Sequence, residues 1–178
     1  MADATKAENP RPRKPLAHER LKAVLVYDPK TGKFFWTART AHRIHIGDEA
    51  GGVNTSDGYR YIRIDGQLYA AHRLAIFYET GSWPLFETDH KNTSRDNNEF
   101  VNLREATRSQ NAANTKRPIT NTSGVKGVHW ARNERKWVAA IKVNGRTKTL
   151  GYFIDIDKAR LAYQRAAHVH FGEFARTE

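Results

Sequence analysis

Cysteine is absent from the 178 residues, and methionine occurs once. Without a thiol the chain has no disulfide framework, no thiolate zinc site and no cysteine nucleophile. No apolar run approaches the roughly 18 residues that a bilayer-spanning helix needs. The opening stretch, MADATKAENPRPRKPL, lacks the apolar segment of a secretory signal. Acidic side chains are scarce beside basic ones: 19 Asp+Glu face 30 Lys+Arg, a formal net charge of +11. Mean hydropathy is −0.75. A surplus of that sign favours a polyanionic partner, either nucleic acid or an acidic membrane face.

The surplus is uneven. Residues 119–178 hold 11 basic and 5 acidic side chains, whereas residues 21–118 hold 14 and 11. The concentration of charge predicts a polyanion-binding unit in the last third. Residues 1–15 are polar, with Pro10, Pro12 and Pro15 among Arg11, Arg13 and Lys14, which predicts a flexible basic arm. A first domain is expected over 16–117, a turn-rich linker over 118–124 and a second domain over 125–178.

Within the first domain, Leu21, Val24 and Leu25 suit a short amphipathic helix over 16–26, followed by a turn at 28–32 and a strand at 33–36. Residues 37–58 are glycine-rich and loop-like. The runs YRYIRI and QLYA flank Asp65-Gly66, a tight-hairpin signature because both central residues need positive φ. Residues 72–79 read as a helix with Leu74, Phe77 and Tyr78 on one stripe, ended by Gly81 and Pro84. Another helix is expected to begin near Thr107. In the second domain three strands are expected at 125–131, 136–143 and 146–153, the last two joined through Asn144-Gly145. Asp155 then caps a helix to about residue 170, with Ala159, Ala162, Tyr163 and Ala166 facing inward.

The densest polar signal is FETDHKNTSRDNNEFVNLREATRSQNAAN, residues 86–114. Composition alone also suits an ordinary polar loop. Order and spacing are more specific: Asp89 precedes His90, Asn102 follows 12 residues later and Asn111 follows 21 later. The segment resembles the HNH endonucleases, in the His-Asn-Asn variant of phage and intron-encoded homing enzymes. Tyr59-Arg60-Tyr61, Asp65-Gly66, His72-Arg73-Leu74, Asp96-Asn97-Asn98, Asn102-Leu103-Arg104 and Gln110-Asn111 occur in that family's order, so the resemblance spans about residues 20–117.

The resemblance implies an α+β fold with a ββα-metal nuclease core. It implies His90 as general base, with Asp89 and Asn111 holding one divalent metal. Histidine suits that task because its ordinary pKa lies near neutrality, and an oxygen donor set favours Mg²⁺ or Mn²⁺ over zinc. Asn102 would brace the loop that carries the base. Asn114 is either a helper on the helix face or a solvated residue. His72 either packs and caps or binds phosphate, and Arg73 is a further supporting candidate. His42, His45, His168 and His170 match no motif. The implied products carry 5′ phosphate and 3′ hydroxyl ends.

The last third resembles the Apetala-2/ethylene-response-factor DNA-binding domain through Gly127-Val128, WVAAIK at 137–142, LGYF at 150–153 and Ala159 to Ala167, covering about residues 123–174. That family lays a three-stranded antiparallel sheet in the major groove and backs it with one helix. The resemblance places Lys126, His129, Arg132 or Arg135, Ala140, Lys142, Thr147 and Thr149 toward DNA, with Arg146 and Lys148 adding charge. Ala140, Thr147 and Thr149 depart from the plant pattern, so its base preference does not carry over.

The expected function is a site-directed endonuclease on double-stranded DNA, with no membrane partner, nicking if monomeric and cutting both strands if dimeric. A phage or mobile-element origin would place it in a host cytoplasm. A DNA-binding regulator without catalysis and an RNA-binding accessory protein are the alternatives. Removing residues 119–178 is expected to weaken DNA binding while sparing the metal-dependent chemistry.

Overall fold

Residues 15–177 are described in this computed structural model; apart from Pro15, the basic arm lies outside them. Helix α1 (His18–Val24) buries Leu21 and Val24 and runs directly into strand β1 (Leu25–Asp28). The helix expected over 16–26 therefore ends early, with Leu25 already extended at φ −136°. Pairing explains the change: β1 lies antiparallel to β2 (Lys33–Trp36), with Leu25 opposite Trp36 and Tyr27 opposite Phe34. The Tyr27 and Phe34 rings sit 4.7 Å apart. Cross-strand aromatic contact and burial of Leu25 outweigh the small difference in helix propensity.

Strands β3 (Gly52–Val53), β4 (Arg60–Ile64) and β5 (Gln67–Ala70) form an antiparallel sheet. The β4–β5 turn has Asp65 at φ 49° and Gly66 at φ 80°, as the Asp-Gly pair predicts. Helix α2 (Ala71–Thr80) buries Ala71, Leu74, Ala75, Ile76 and Phe77 and ends at Gly81 in the left-handed region. Next come β6 (Glu87–His90), a 3₁₀ turn at Phe100–Asn102, β7 (Leu103–Ala106) and α3 (Arg108–Asn114). β6 and β7 are antiparallel, with Asp89 opposite Arg104 and His90 opposite Leu103. Thr107 and Gln110 start α3 with a reciprocal capping box.

Strands β8 (Val128–Ala131), β9 (Lys136–Val143) and β10 (Arg146–Phe153) make a second antiparallel sheet with β9 in the centre. Asn144 and Gly145 form its tight turn, both at positive φ. Helix α4 (Ile156–Phe171), capped by Asp155, buries Ala159, Tyr163, Ala167 and Phe171 against the sheet. An irregularity at Thr149/Gly151 adds one residue to β10 and restores the alternation at Tyr152. Gly127 lets the chain pass against α4: its φ is +70°, and a Cβ there would overlap the Tyr163 ring.

Two apolar clusters result. The first joins α1, β1, β2, β4, α2 and Leu103. The second joins the β8–β10 sheet and α4, and it also takes in Ala106 and Ala113. The unit β6–β7–α3 thus lies between the clusters and contributes to both. Among the described residues, no helix is long and apolar enough to cross a membrane.

Candidate active site

An open cleft of about 380 Å³ lies over β6 and α3, with Tyr59, Asp89, His90, Arg95, Asn111 and Asn114 among its lining residues. The antiparallel pairing of β6 places Asp89 and His90 at the cleft. The capped start of α3 directs Asn111 and Asn114 toward the same strand.

His90 is buried, and its Nε2 lies 3.0 Å from Asn98 Oδ1. The orientation of that amide follows from its other end, since Asn98 Nδ2 donates to Asp96 O at 3.2 Å. Asn98 Oδ1 is therefore an acceptor, His90 Nε2 carries the proton, and Nδ1 keeps the lone pair. Burial lowers the His90 pKa below the ordinary imidazole value, partly offset by the Asn98 hydrogen bond. His90 is thus neutral near pH 7, as a base must be.

Asn98 is fixed from behind by the N-terminal hairpin. Tyr27 OH donates to Asn98 O at 2.6 Å, and Phe100 N donates to Pro29 O at 3.0 Å. Gly32, at φ +71°, packs so closely that a Cβ would overlap the backbone of Asn98 and Glu99. Asn102 ties down the same loop: its Nδ2 donates to Asn97 O at 2.8 Å, and its Oδ1 accepts from Asn92 N at 3.1 Å.

Asp89 is buried and held on two sides. Arg104 Nε donates to Oδ2 at 2.9 Å, and Asn114 Nδ2 donates to Oδ1 and Oδ2 at 2.9 and 3.0 Å. Asn114 also donates to His90 O at 2.9 Å, so it bridges the two β6 residues. It is 5% exposed and is not the solvated residue that the sequence allowed. Asn111 donates through Nδ2 to Glu87 Oε2 at 2.6 Å, which leaves its Oδ1 as the atom able to meet a cation.

Among the described residues, no group of three or more His, Cys, Asp and Glu could hold a metal. The donors at the cleft, a carboxylate and an amide oxygen, do not fit a closed zinc cage. They fit a hard cation that keeps several waters and completes its shell with substrate phosphate.

His72 does not cap α2 through its side chain. Its ring packs 4.9 Å from that of Tyr59 and 5.2 Å from that of His90, and its Nδ1 meets no hydrogen-bond partner among the described residues. Burial, with the neighbouring His90, lowers its pKa to about 3. Arg73 points elsewhere, donating to Pro84 O and Phe86 O at 3.3 and 3.4 Å. Arg95 lines the cleft with its guanidinium 5.1 Å from the centre of the Tyr59 ring.

The cations and polar residues expected to face DNA divide into groups. Lys142 pairs with Thr147, and Thr149 pairs with Ala140, so these share one face of the second sheet. His129 joins them through its pairing with Val138. His129, Arg132, Thr147 and Thr149 line one shallow depression on that face. Arg135 sits in the β8–β9 turn at φ 51°. Arg146 and Lys148 pair with Val143 and Ile141 and belong to the opposite face. Lys126 leaves the set altogether: it is buried, and its Nζ donates to Ala113 O and Thr115 O at 2.6 Å each. Burial lowers its pKa to about 8.

Two side chains that contact His90 and Asp89, Asn98 and Arg104, are not singled out by the sequence. Asn98 falls within the Asp-Asn-Asn run, which is the available signal for it but gives it no role. The link from Arg104 to Asp89 has its signal in the antiparallel register that faces residue 89 with 104, and that register appears only once the strands are paired.

No solved structure matches the chain. Protein 3.8 of Escherichia phage T7 is 29% identical to it over 114 residues, which is 62% of this chain and 93% of that protein. The stretch running from β5 through α2, β6 and β7 into α3, residues 69–113, matches the family model of the HNH endonucleases.

Proposed function

We propose that the protein is a metal-dependent, site-directed DNA endonuclease. The observation that carries this reading is His90: a buried neutral imidazole, anchored through Nε2 and presenting Nδ1 in a cleft shared with Asp89 and Asn111, inside the segment that matches the HNH endonucleases.

The residues support a hydrolytic mechanism. His90 Nδ1 takes the proton of a water as it attacks the phosphorus in line with the leaving 3′ oxygen. Asn98 fixes the imidazole ring, and Asn102 fixes the loop behind it. Asp89 and Asn111 would hold the divalent cation, which supplies Lewis-acid stabilisation of the charge on the phosphate and leaving oxygens. Arg104 and Asn114 set the angle of the Asp89 carboxylate. Arg95, at the cleft, is placed to contact a flanking phosphate. Mg²⁺ or Mn²⁺ suits the oxygen donors better than zinc. The outward face of the β8–β10 sheet, with His129, Arg132, Lys142, Thr147 and Thr149, would lie in the major groove and direct the cut. A phage-encoded enzyme acting in the host cytoplasm agrees with the T7 relative.

Supercoiled plasmid incubated with protein and Mg²⁺ tests the reading. The expected outcome is nicked circles, with His90→Ala slowing the reaction by about 10²–10⁴-fold, the usual worth of a general base, while duplex binding persists. Undiminished cleavage by the variant would remove His90 from the role of base. Duplex binding with no cleavage by the native chain would favour the non-catalytic regulator. Tighter binding to RNA than to duplex DNA at matched salt would favour the RNA-binding alternative.

A further inference from the structure

The C-terminal unit reaches the back of the cleft at three places. First, the Lys126 ammonium is buried against the end of α3 and donates to Ala113 O and Thr115 O. The last carbonyls of a helix have no partner within it and attract cations. Helix α3 has seven residues and carries both Asn111 and Asn114, and a helix this short does not persist without outside contacts. Second, Arg104 connects Asp89 to the C-terminal segment. Its Nη1 donates to Glu173 O at 3.1 Å and Glu173 Oε2 at 3.2 Å, and its guanidinium lies 3.7 Å from the centre of the Phe174 ring. Third, Asn144 N, at the β9–β10 turn, donates to Ser109 Oγ at 3.0 Å, and Ala106 and Ala113 are buried in the C-terminal apolar cluster.

We propose that the C-terminal unit is built into the scaffold of the catalytic cleft, with Lys126 and Arg104 as positioning residues: Lys126 holds the helix that presents Asn111 and Asn114, and Arg104, braced by Glu173 and Phe174, holds the Asp89 carboxylate. The catalytic part of this inference rests on the nuclease reading above; the structural part does not. It assigns Lys126 a task other than phosphate contact. It also makes the DNA-reading sheet and the metal-binding face one rigid body, so a duplex seated on the former is presented to the latter at a fixed angle.

The test uses the full chain with Lys126→Met, Lys126→Arg and Glu173→Gln. Hydrogen exchange without metal or DNA reports on α3, and plasmid nicking across a Mn²⁺ titration reports on the cleft. For Lys126→Met, α3 amides should lose protection while β9 keeps it. Half-saturation by Mn²⁺ should rise by about 10–100-fold, the usual effect of losing a group that orients a metal ligand, and metal-free duplex affinity should stay within about twofold because the outward sheet face is untouched. Lys126→Arg, which still offers two donors, should recover most of the Mn²⁺ response. Glu173 is exposed, so Glu173→Gln folds in any case; it should weaken the Mn²⁺ response in the same direction by a smaller factor. Native α3 protection and an unchanged Mn²⁺ response in both Lys126→Met and Glu173→Gln would overturn the proposal. So would a Lys126→Met chain that loses duplex affinity with α3 intact, because Lys126 would then touch DNA directly. A native chain inert toward DNA, with α3 still loosened by Lys126→Met, would overturn the nuclease reading and leave the structural clasp standing.

Discussion

At the scale of single residues, His72 shows what burial beside a second imidazole does. Its folded pKa of about 3 reflects burial first, then the adjacent His90, then Arg73, with Asp57 opposing them. In the unfolded chain the same ring takes up a proton near pH 6.5. Between pH 6.5 and about 3 the unfolded state therefore binds more protons, and stability falls as pH is lowered through that window. His90 is shifted in the same direction and adds to the slope. Melting temperature should fall from about pH 6.5 to about 4.5, above the range where ordinary carboxylates titrate, and His72→Gln should flatten that fall. An unchanged slope in the variant would place the acid sensitivity elsewhere. The asparagines make a related point. The family resemblance is enough to pick out Asn102, Asn111 and Asn114. It does not tell whether each meets water, backbone or a carboxylate, because an amide's role depends on which partner faces each of its two ends. Asn98 is hidden in the sequence for that reason: its value lies in a backbone carbonyl that turns its oxygen toward His90.

At the scale of elements, α3 depends on its ends. Thr107 Oγ1 accepts from Gln110 N at 3.3 Å, and Gln110 Oε1 accepts from Thr107 N at 2.8 Å. Thr107→Ala removes half of that reciprocal cap and should cost about 1 kcal/mol, measured by urea unfolding. A loss below about 0.3 kcal/mol would mean that tertiary packing alone starts the helix. Elements with local chemistry are legible in the sequence: the Asp65-Gly66 and Asn144-Gly145 turns, strand β2, helices α2 and α4, and the cap at Asp155. The inward stripe of α4 departs from its expected course by one position at its end, where Ala167 rather than Ala166 is fully buried. Strands β1, β3, β6 and β7 are not legible in this way. Each has four residues or fewer, too short to show a period, and each is extended because a partner strand pairs with it. Glu87–His90 resembles a polar loop in sequence; it is a strand because Leu103–Ala106 supplies the ladder.

At the scale of the whole molecule, the positive surplus of the last third serves two ends. Lys142 lies on the outward sheet face, whereas Lys126 is committed to the interior, on α3. Lys142→Ala should lower duplex affinity and flatten its dependence on log salt by roughly one unit of slope, as expected when one fewer phosphate is neutralised. Turnover on saturating DNA should hold. A variant with normal affinity and slow cutting would move Lys142 toward the reacting phosphate. The sequence suggests two separable modules with a linker at 118–124, because charge and turn residues change there. The side chains do not respect that boundary: Ala106 and Ala113 precede it and are buried beyond it. This burial has a practical consequence for redirecting the proposed endonuclease. Exchanging everything after the linker for a DNA-binding domain of another specificity would strip α3 of the Lys126 ammonium and expose Ala106 and Ala113, loosening the helix that carries Asn111 and Asn114. Retargeting would have to proceed in place, by changing side chains such as Thr147 and Thr149 while keeping Val125, Lys126 and Phe174 as they are.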